Sequence, residues 1–543
     1  MNLLRMLLRN SRLALVLAVV TGLASGASSA GLLAMTGAAL VGKAQGMGWY
    51  FAALCAAALL SRFASHAVLN WMHHGLVFQM RTELGTRMLA TPLRRLEDLG
   101  SHRLLAALTG DISFVGAGLM LLPQLIIHLA ILLGCLGYMA WLSRPLLLTT
   151  LGFMAVGIAT YMLPARRSLG LMRTARELYD RLLKHFDTLS EGTKELKMHR
   201  ERRLAFLRED LVGTSASLRR VDALSGAIDA ANSSWGMLLF FAIIGLLLFV
   251  MPTFGGIDSA TLTGFSLTIL YMQQPLDSVL NSFHGVGQAT VALGKLEALG
   301  LGEEPPELQG PLEAPRAFER LELRAITHAY RREHEDGRFL LGPIDLALRP
   351  GELVFLVGGN GSGKTTLAKL LIGLYTPESG AVVLDGKPLA SEQDWERYRQ
   401  LFSSVFVDFC LFDRMLGLER QDLTEAAQRY LERLQLTHKV RIEGGALSTT
   451  RLSQGQRKRL ALLTAYLEDR PIYLFDEWAA DQDPVFKALF YEQLLPDLKR
   501  RGKAVLVITH DDRYFHLADR LLRLEYGQLL PEETPQALRP HGS

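Results

Sequence analysis

Long apolar runs fill the first half of the chain, whereas short apolar runs alternate with polar ones in the second half. A helix needs about 20 mostly apolar residues to cross the hydrocarbon core of a lipid bilayer. Six runs approach or reach this length, at residues 13–41, 49–71, 115–141, 146–163, 235–251 and 257–274. The pattern therefore predicts an all-α, six-helix transmembrane domain over residues 1–300.

Two polar segments separate these runs, one after the second run and one after the fourth. Apolar residues recur at helical spacing from 173 to 189, and Gly and Pro are scarce from 166 to 211. This pattern disfavours the alternative of two unstructured charged loops. We expect the transmembrane helices to continue beyond the bilayer and to reverse through short turns, such as one near Pro92.

Basic residues concentrate on one side of the predicted membrane, which sets its orientation. Of the three loops on the opposite side, one contains a single basic residue, Lys43, one contains Arg144, and the loop around Phe254 contains none. The basic side carries Arg5, Arg9 and Arg12, then Arg81, Arg87, Arg94, Arg95 and Arg103, and then the Arg- and Lys-rich segment 165–234. We expect both termini to be cytoplasmic and the protein to lie in the cell inner membrane.

The N-terminal arm has an alternative reading as a cleavable signal peptide, since basic residues precede an apolar run that reaches small residues at 24–27. The apolar sequence continues to Val41, beyond the usual length of such a peptide. An uncleaved first transmembrane helix is therefore favoured.

Arg62 and His66 lie within the second apolar run, one helical turn apart and so on one face. A charge at that depth is costly and usually faces a protein interior or a water-filled cavity, so the pair is a candidate for the cargo pathway. The alternatives are that the Arg62 side chain extends to the membrane–water interface, or that it pairs with a carboxylate on a neighbouring helix.

Residues 301–317 are rich in Pro, Glu and Gly, a composition typical of a linker. Beyond them, apolar strands at 353–357, 381–384, 472–475 and 504–508 alternate with helical patterns such as 366–374. This alternation predicts an α/β domain with a largely parallel sheet over residues 318–530. The tail, 531–543, has little to bury and is expected to be mobile.

Composition narrows the possible partners. Hydrophobic residues make up 49% of the chain, which agrees with a membrane location, and 58 basic residues nearly balance 54 acidic ones. That balance does not favour nucleic acid as a partner. Cys55, Cys135 and Cys410 form no close pair in the sequence, so neither a disulfide framework nor a zinc site is indicated.

A glycine-rich stretch follows the strand at 353–357 and opens a helix. Its nine residues are Gly358, Gly359, Asn360, Gly361, Ser362, Gly363, Lys364, Thr365 and Thr366. The spacing is that of a P-loop, whose backbone N–H groups surround phosphates at a helix N-terminus. Lys364 is expected to reach the β- and γ-phosphates of ATP and the Thr365 hydroxyl to bind Mg²⁺.

Two later strands end in polar residues suited to the same chemistry. Asp476 and Glu477 close the strand at 472–475, where the first can hold Mg²⁺ and the second can orient and polarise an attacking water. His510 closes the strand at 504–508 and is expected at the same sheet edge, near the γ-phosphate.

The run Leu452, Ser453, Gln454, Gly455, Gln456 resembles the LSGGQ signature of ATP-binding cassette (ABC) proteins, with Gln454 in place of the first glycine. It precedes a basic helix starting at Arg457. The resemblance implies that Ser453 and Gly455, with Gln454 and Gln456 beside them, cap the γ-phosphate of a nucleotide held by another subunit.

Other positions agree with this resemblance. Tyr330 matches the aromatic residue that the family stacks on adenine, and Asp483 matches the loop that follows the catalytic glutamate. Val407 departs from the pattern, because the family has a glutamine there that touches Mg²⁺ and water, and valine cannot bind a metal. Asp408, or a water, is left to fill that role.

One membrane domain and one C-terminal cassette resemble an exporter half-transporter, which implies a homodimer because each site needs a P-loop and a signature from different copies. Residues 476–484, 490–491, 494–496 and 510–515 are similar to the cyclic peptide exporter branch, which includes exporters of pyoverdine-type siderophore precursors, syringomycin-like lipopeptides and a lasso microcin. The resemblance implies ATP-driven export of a peptide cargo, with periplasmic or outer-membrane partners possible. A lipid or multidrug exporter and a non-transporting, nucleotide-switched regulator remain alternatives.

Overall fold

The computed structural model describes residues 12–40, 46–254, 258–302, 317–331, 338–418 and 423–531 of the 543-residue chain. Arg5, Arg9 and Lys43, most of the predicted linker and nearly all of the predicted tail lie outside the described residues. The chain divides into two compact units. The first comprises Met1–Thr86 and Ser101–Leu301, and the second comprises Arg87–Gly100 and Gly302–Ser543.

Helices account for nearly all of the described residues before residue 300. They are α1 (Arg12–Leu40), α2 (Gly48–Ala90), α3 (Leu93–Leu99), α4 (Ser101–Ala106), α5 (Ile112–Leu142), α6 (Arg144–Glu191), α7 (Thr193–Met198), α8 (Arg200–Ala205), α9 (Gly213–Gly245) and α10 (Ser259–Ala298). Three π-helical segments continue these helices. Ala107–Asp111 joins α4 to α5, Phe206–Val212 joins α8 to α9, and Leu246–Val250 extends α9.

Five helical stretches among the described residues are long and apolar enough to cross a membrane. They are Val16–Ala39, Gly48–Ala90, Arg103–Leu142, Arg144–Glu191 and Arg200–Thr253. The sixth predicted span lies in α10, a helix of 40 residues that does not meet this criterion. Its threonines and the pair Gln273 and Gln274 dilute the apolar character of the run.

The prediction that helices continue through the polar segments is confirmed. Helix α2 runs unbroken from the second apolar run to Ala90, and α6 contains 48 residues and includes the whole periodic stretch 173–189. Helices α5, α6, α9 and α10 share a buried cluster of apolar side chains. Its most buried members are Cys135, Met139, Leu247, Phe265 and Met272.

Two large sheets and a two-stranded one are formed by the described residues of the second unit. Its strands are β1 (Leu321–Arg331), β2 (Arg338–Leu348), β3 (Leu353–Val357), β4 (Ser379–Leu384), β5 (Lys387–Pro388), β6 (Phe402–Val405), β7 (Ile442–Glu443), β8 (Ala446–Leu447), β9 (Ile472–Asp476), β10 (Ala504–Ile508), β11 (Arg520–Glu525) and β12 (Gln528–Leu529). One sheet has the order β12-β11-β3-β10-β9-β6 and the other β2-β1-β4-β5, while β7 pairs with β8.

The α-helices that follow β3 along the chain connect and cover these strands. They are α11 (Lys364–Leu371), α12 (Glu392–Arg399), α13 (Leu423–Arg433), α14 (Gln454–Glu468), α15 (Pro484–Ala488) and α16 (Leu495–Arg500). Helix α11 begins two residues before the predicted position. It ends before Gly373, whose φ of 72° does not continue a helix.

The expected parallel sheet is present from β11 to β6, and every residue of β3, β9 and β10 is buried. The assignment of residues 381–384 to that sheet was wrong. Strand β4 pairs antiparallel with β1 in the second sheet. Period-2 patterning reports which face of a strand is buried and carries no information about its partner strand.

Helix α3 follows Pro92, where a turn was predicted, and belongs to the second unit. Glu97 accepts a hydrogen bond from Lys369 Nζ at 2.7 Å and another from the Tyr375 hydroxyl. Arg94 donates to the carbonyl oxygen of Ala329 at 3.0 Å. A short segment between two long helices is thus bound to the surface of the second unit by polar contacts.

Candidate functional site

Four strands of the parallel sheet end together, which places the chemistry-bearing residues at one edge. Leu356 of β3 is in register with Ile508 of β10, and Ile508 is in register with Asp476 of β9. Val405 of β6 pairs with Phe475. The segments that follow these strands therefore meet at the carboxyl edge, where open α/β sheets bind ligands.

The glycine-rich loop after β3 has the backbone that its sequence predicts. Gly361 and Gly363 have φ values of 77° and 103°, which favour glycine. A β-carbon at Gly358 would lie 2.1 Å from the carbonyl oxygen of Leu524, so only glycine fits there. Helix α11 starts at Lys364 and presents its N-terminus to the loop.

Lys364 is buried beneath this loop. Its ammonium group donates to the carbonyl oxygens of Gly358 and Gly359, both at 2.9 Å. Burial lowers the pKa of Lys364, and the nearby carboxylates of Glu477 and Asp476 oppose this shift. The ammonium group therefore sits at the glycine-rich loop with its orientation fixed by the backbone.

Thr365 and Asp476 are directly linked, since the Thr365 hydroxyl donates to Asp476 Oδ2 at 3.0 Å. The other carboxylate oxygen, Oδ1, is buried without a hydrogen-bond partner, and so is the Ser362 hydroxyl. Burial raises the pKa of Asp476, which the Thr365 hydrogen bond partly offsets. Hydroxyl and carboxylate oxygens with an unsatisfied acceptor form a donor set suited to a hard cation such as Mg²⁺.

Glu477 and His510 are also brought together. His510 Nε2 lies 3.1 Å from Glu477 Oε1, and the two line a cleft of about 350 Å³ with Lys487, Tyr491 and other side chains. Glu477 adopts a φ of 46°, uncommon for a residue other than glycine. The unusual backbone directs an acidic side chain, which is about one-third exposed, into an open cleft.

The signature-like run opens helix α14. Ser453 is the N-cap, accepting from the Gln456 backbone N–H, while the Gln456 side chain accepts from the backbone N–H of Ser453. The helix therefore begins at Gln454, three residues before the predicted start at Arg457. The reciprocal capping pair supplies the physical reason for the earlier start.

A polar network ties the start of α14 to the segment after Glu477. The Gln482 amide donates to the carbonyl oxygen of Gly455 at 3.0 Å, and Gln454 donates to Asp481 at 3.2 Å. Arg459 pairs with Asp483 at 2.6 Å. Asp483 also caps α15 by accepting from the backbone N–H of Phe486.

Lys458 is the central residue of this network and was missed from the sequence. Its side chain is 2% exposed, and its ammonium group lies 2.7 Å from Asp481 and donates to the carbonyl oxygen of Glu477 at 3.1 Å. Trp478 donates from its ring to the Lys458 carbonyl oxygen at 2.8 Å. A lysine among basic surface residues gives no local signal of burial, so its contacts became visible only in the fold.

Other predicted site residues are placed differently. The side chain of Tyr330 lies outside the described part of the structure, although its backbone pairs with Phe339 in β2. Val407 is 44% exposed, and the neighbouring Asp408 acts electrostatically on Asp476. Among the described residues, no hydrogen bond or ion pair joins residues 358–366 to Ser453 or Gly455.

Comparison with known proteins identifies the family. A family model described as ABC transporter matches residues 341–480. The chain is 37% identical to the ATP-binding protein SyrD of Pseudomonas syringae pv. syringae, over 95% of this chain and 93% of the relative. The chain belongs to the ABC transporter family.

ATP-dependent lipid A-core flippases are more distant members of the same family. Those of Chromobacterium violaceum and Alkalilimnicola ehrlichii are each 28% identical, over 89% of this chain and 84% and 83% of theirs. The resemblance to ABC exporter half-transporters is confirmed. This ABC half-transporter is an ATP-hydrolysing, multi-pass membrane protein with a cytoplasmic cassette, and a half-transporter works as a dimer.

Proposed function

We propose that two copies of this chain form a homodimer in the cell inner membrane and use ATP to export a peptide from the cytoplasm. Both termini would be cytoplasmic, as the distribution of basic residues suggests. The observation that carries the ATP-driven part is the convergence of Lys364, Asp476, Glu477 and His510 at one sheet edge.

Within this proposal each site residue has a role. Residues 358–366 bind the phosphates of ATP, with Lys364 nearest the β- and γ-phosphates. Glu477 acts as general base towards the attacking water, and the contact at 3.1 Å allows His510 to hold the Glu477 carboxylate in place. Tyr330 stacks on adenine.

Thr365 and Asp476 are the residues that would hold Mg²⁺. The buried, unpartnered Oδ1 of Asp476 is the observation that supports a cation there. When bound, the ion would neutralise phosphate charge. Val407 supplies no ligand, so we expect the remaining positions of the coordination shell to be filled by phosphate oxygens and water.

The placement of the signature supports the homodimer. Ser453, Gln454, Gly455 and Gln456 open α14 and make no polar contact with the P-loop of their own chain among the described residues. Asp483 is joined to α14 by its ion pair with Arg459. We infer that these residues complete the nucleotide site of a second copy, with their N-terminal N–H groups facing its γ-phosphate.

Peptide cargo is supported by the segments 476–484, 490–491, 494–496 and 510–515, which resemble those of cyclic peptide exporters. Identity to the lipid A-core flippases is 28%, lower than the 37% identity to SyrD, so a lipid cargo is the second candidate. A siderophore precursor or another non-ribosomal peptide is the cargo class that we favour. Partners in the periplasm or the outer membrane would receive it.

ATPase activity of the full-length protein in nanodiscs tests this proposal. Cyclic peptides should stimulate hydrolysis, whereas lipid A-type lipids and lipophilic drugs should not. Lys364→Ala should abolish the stimulated activity and so control for contaminating ATPases. Stimulation by the lipids alone would favour the lipid exporter, which the flippase relatives make the second candidate. ATPase activity without transport of any cargo would favour a nucleotide-switched regulator.

A further inference from the structure

The apolar part of α2 carries a charged residue near its middle. Arg62 lies 13 residues after Trp49 and nine residues before Trp71. At 1.5 Å per residue, it is about 20 Å from one end of the run and about 14 Å from the other. An arginine this deep in a hydrocarbon core is costly unless something compensates its charge.

No such compensation is present among the described residues of the single chain. Arg62 is exposed, and no ion pair involves it. The electrostatic neighbours of His128 on α5 are Arg62 and His66, not carboxylates. The Nδ1 atom of His128 is buried without a hydrogen-bond partner.

The packing of α1, α2 and α5 brings α2 and α5 close together beside these residues. A β-carbon at Gly22 of α1 would lie 2.3 Å from the Ile127 side chain and 3.4 Å from the Ser65 hydroxyl. Ser65 also donates to the carbonyl oxygen of Ala18 at 3.2 Å. His66 and His128 directly follow Ser65 and Ile127 in the sequence, so each lies within one helical turn of this junction.

The same seam continues along the two helices. Leu69 and Met72 of α2 lie with Leu119 and Pro123 of α5 around a small, mainly apolar cavity that His73 also lines. The basic groups of Arg62, His66 and His128 are therefore followed along the two helices by mainly apolar side chains. A ligand with an anionic group beside apolar surface matches this arrangement.

We propose that Arg62, His66 and His128 form a site in the membrane domain that binds a carboxylate group of the exported peptide. The inference deepens the proposed export function and rests on it. Arg62 supplies a permanent charge and a planar set of N–H donors that match a carboxylate, and the two imidazoles supply further donors. Acidic peptides would then be preferred over neutral ones of the same size.

A matched pair of fluorescent cyclic hexapeptides, identical except for one Glu or Gln, tests this specificity. Their dissociation constants are measured on the full-length protein in phosphatidylcholine nanodiscs. The Glu peptide should bind about 10-fold more tightly than the Gln peptide, since a hydrogen bond to a charged group replaces a neutral one. Arg62→Gln should remove this preference, and Arg62→Lys should restore part of it.

Arg81→Gln is the matched control, because it removes the same charge from the same helix outside the apolar run. It should leave the 10-fold preference unchanged. Size-exclusion chromatography of each variant separates binding from assembly. If Arg62 instead pairs with a carboxylate of a second copy, Arg62→Gln should weaken the dimer, and that result would overturn the carboxylate site.

Several outcomes would overturn the assignment. Equal binding of the two peptides to the wild type, or a preference that survives in Arg62→Gln, would remove the carboxylate site while leaving peptide export intact. Loss of Glu-peptide binding when phosphatidylglycerol replaces phosphatidylcholine would assign the site to a lipid phosphate. Failure of either peptide to bind or to be transported would count against both the site and the export function.

Discussion

Lys458 should position Glu477 without touching the nucleotide, and Lys458→Met tests this role. Methionine is unbranched and similar in length, so it fills most of the buried space while removing the charge. Asp481 is 44% exposed and can be hydrated, so loss of that ion pair costs at most about 1 kcal/mol. Loss of the hydrogen bond from a charged donor to the Glu477 carbonyl oxygen costs about 1.5–3 kcal/mol.

These losses act on a residue whose backbone is already in an uncommon conformation, with a φ of 46° at Glu477. If most of the interaction energy of Lys458 serves to orient the Glu477 side chain, turnover should fall about 10- to 100-fold in Lys458→Met. Each 1.4 kcal/mol corresponds to a factor of ten in rate. The KM for ATP should stay unchanged, since Lys364 and the glycine-rich loop are not altered.

The assay is steady-state ATP hydrolysis by the full-length protein in nanodiscs, with thermal unfolding recorded in parallel. Lys499→Met is the matched control, because it removes a lysine that pairs with Asp519 at the surface, where both side chains are more than one-third exposed. It should leave turnover unchanged. An unchanged kcat in Lys458→Met, or a raised KM with normal kcat, would refute the positioning role.

Three further variants test other parts of the account. Glu477→Gln should bind ATP normally and lower kcat by 10²-fold or more, as loss of a general base does. Filter binding measures the ATP affinity and phosphate release measures hydrolysis. Hydrolysis at the wild-type rate would contradict the role of Glu477. Glu468 accepts a hydrogen bond from the Ser403 hydroxyl at 2.6 Å, and burial raises the pKa of Glu468 above its usual value. The folded state then binds the proton of the Glu468 carboxyl more tightly than the unfolded state does. Protonated Glu468 therefore stabilises the folded state at acid pH, and this stabilisation is lost as pH rises through the raised pKa. Glu468→Gln should therefore unfold at a higher temperature than the wild type at pH 8, with the gap closing towards pH 5, and a constant gap would contradict the argument. Glu97→Gln weakens the charged contact with Lys369 and should reduce peptide-stimulated ATPase while leaving basal hydrolysis unchanged; equal effects on both rates would exclude a linking role for α3.

Local sequence patterns predicted the parts of the site that depend on neighbouring residues along the chain. The glycine-rich loop, the buried strands β3, β9 and β10, and their polar ends each follow from a few consecutive residues. Because parallel strands end at a common edge, the contacts of Thr365 with Asp476 and of Glu477 with His510 could be anticipated.

Other features depend on contacts between distant residues. The sequence gives no sign that Lys458 is buried against Glu477, or that Gln482 bonds to Gly455, because ordinary surface patterns contain the same residue types. The partner of β4 and the attachment of Glu97 to Lys369 are likewise decided by tertiary packing. These are the elements that connect the nucleotide site to the rest of the second unit.

Uptake of the Glu-containing cyclic hexapeptide into inside-out membrane vesicles tests the central claim most directly. Vesicles with the wild-type protein should accumulate the peptide when ATP is supplied and should not do so without it. Vesicles with Glu477→Gln at the same protein level should show only background uptake. Peptide accumulation that is equal in the two kinds of vesicle, or absent from wild-type vesicles that hydrolyse ATP, would contradict ATP-driven peptide export by this protein.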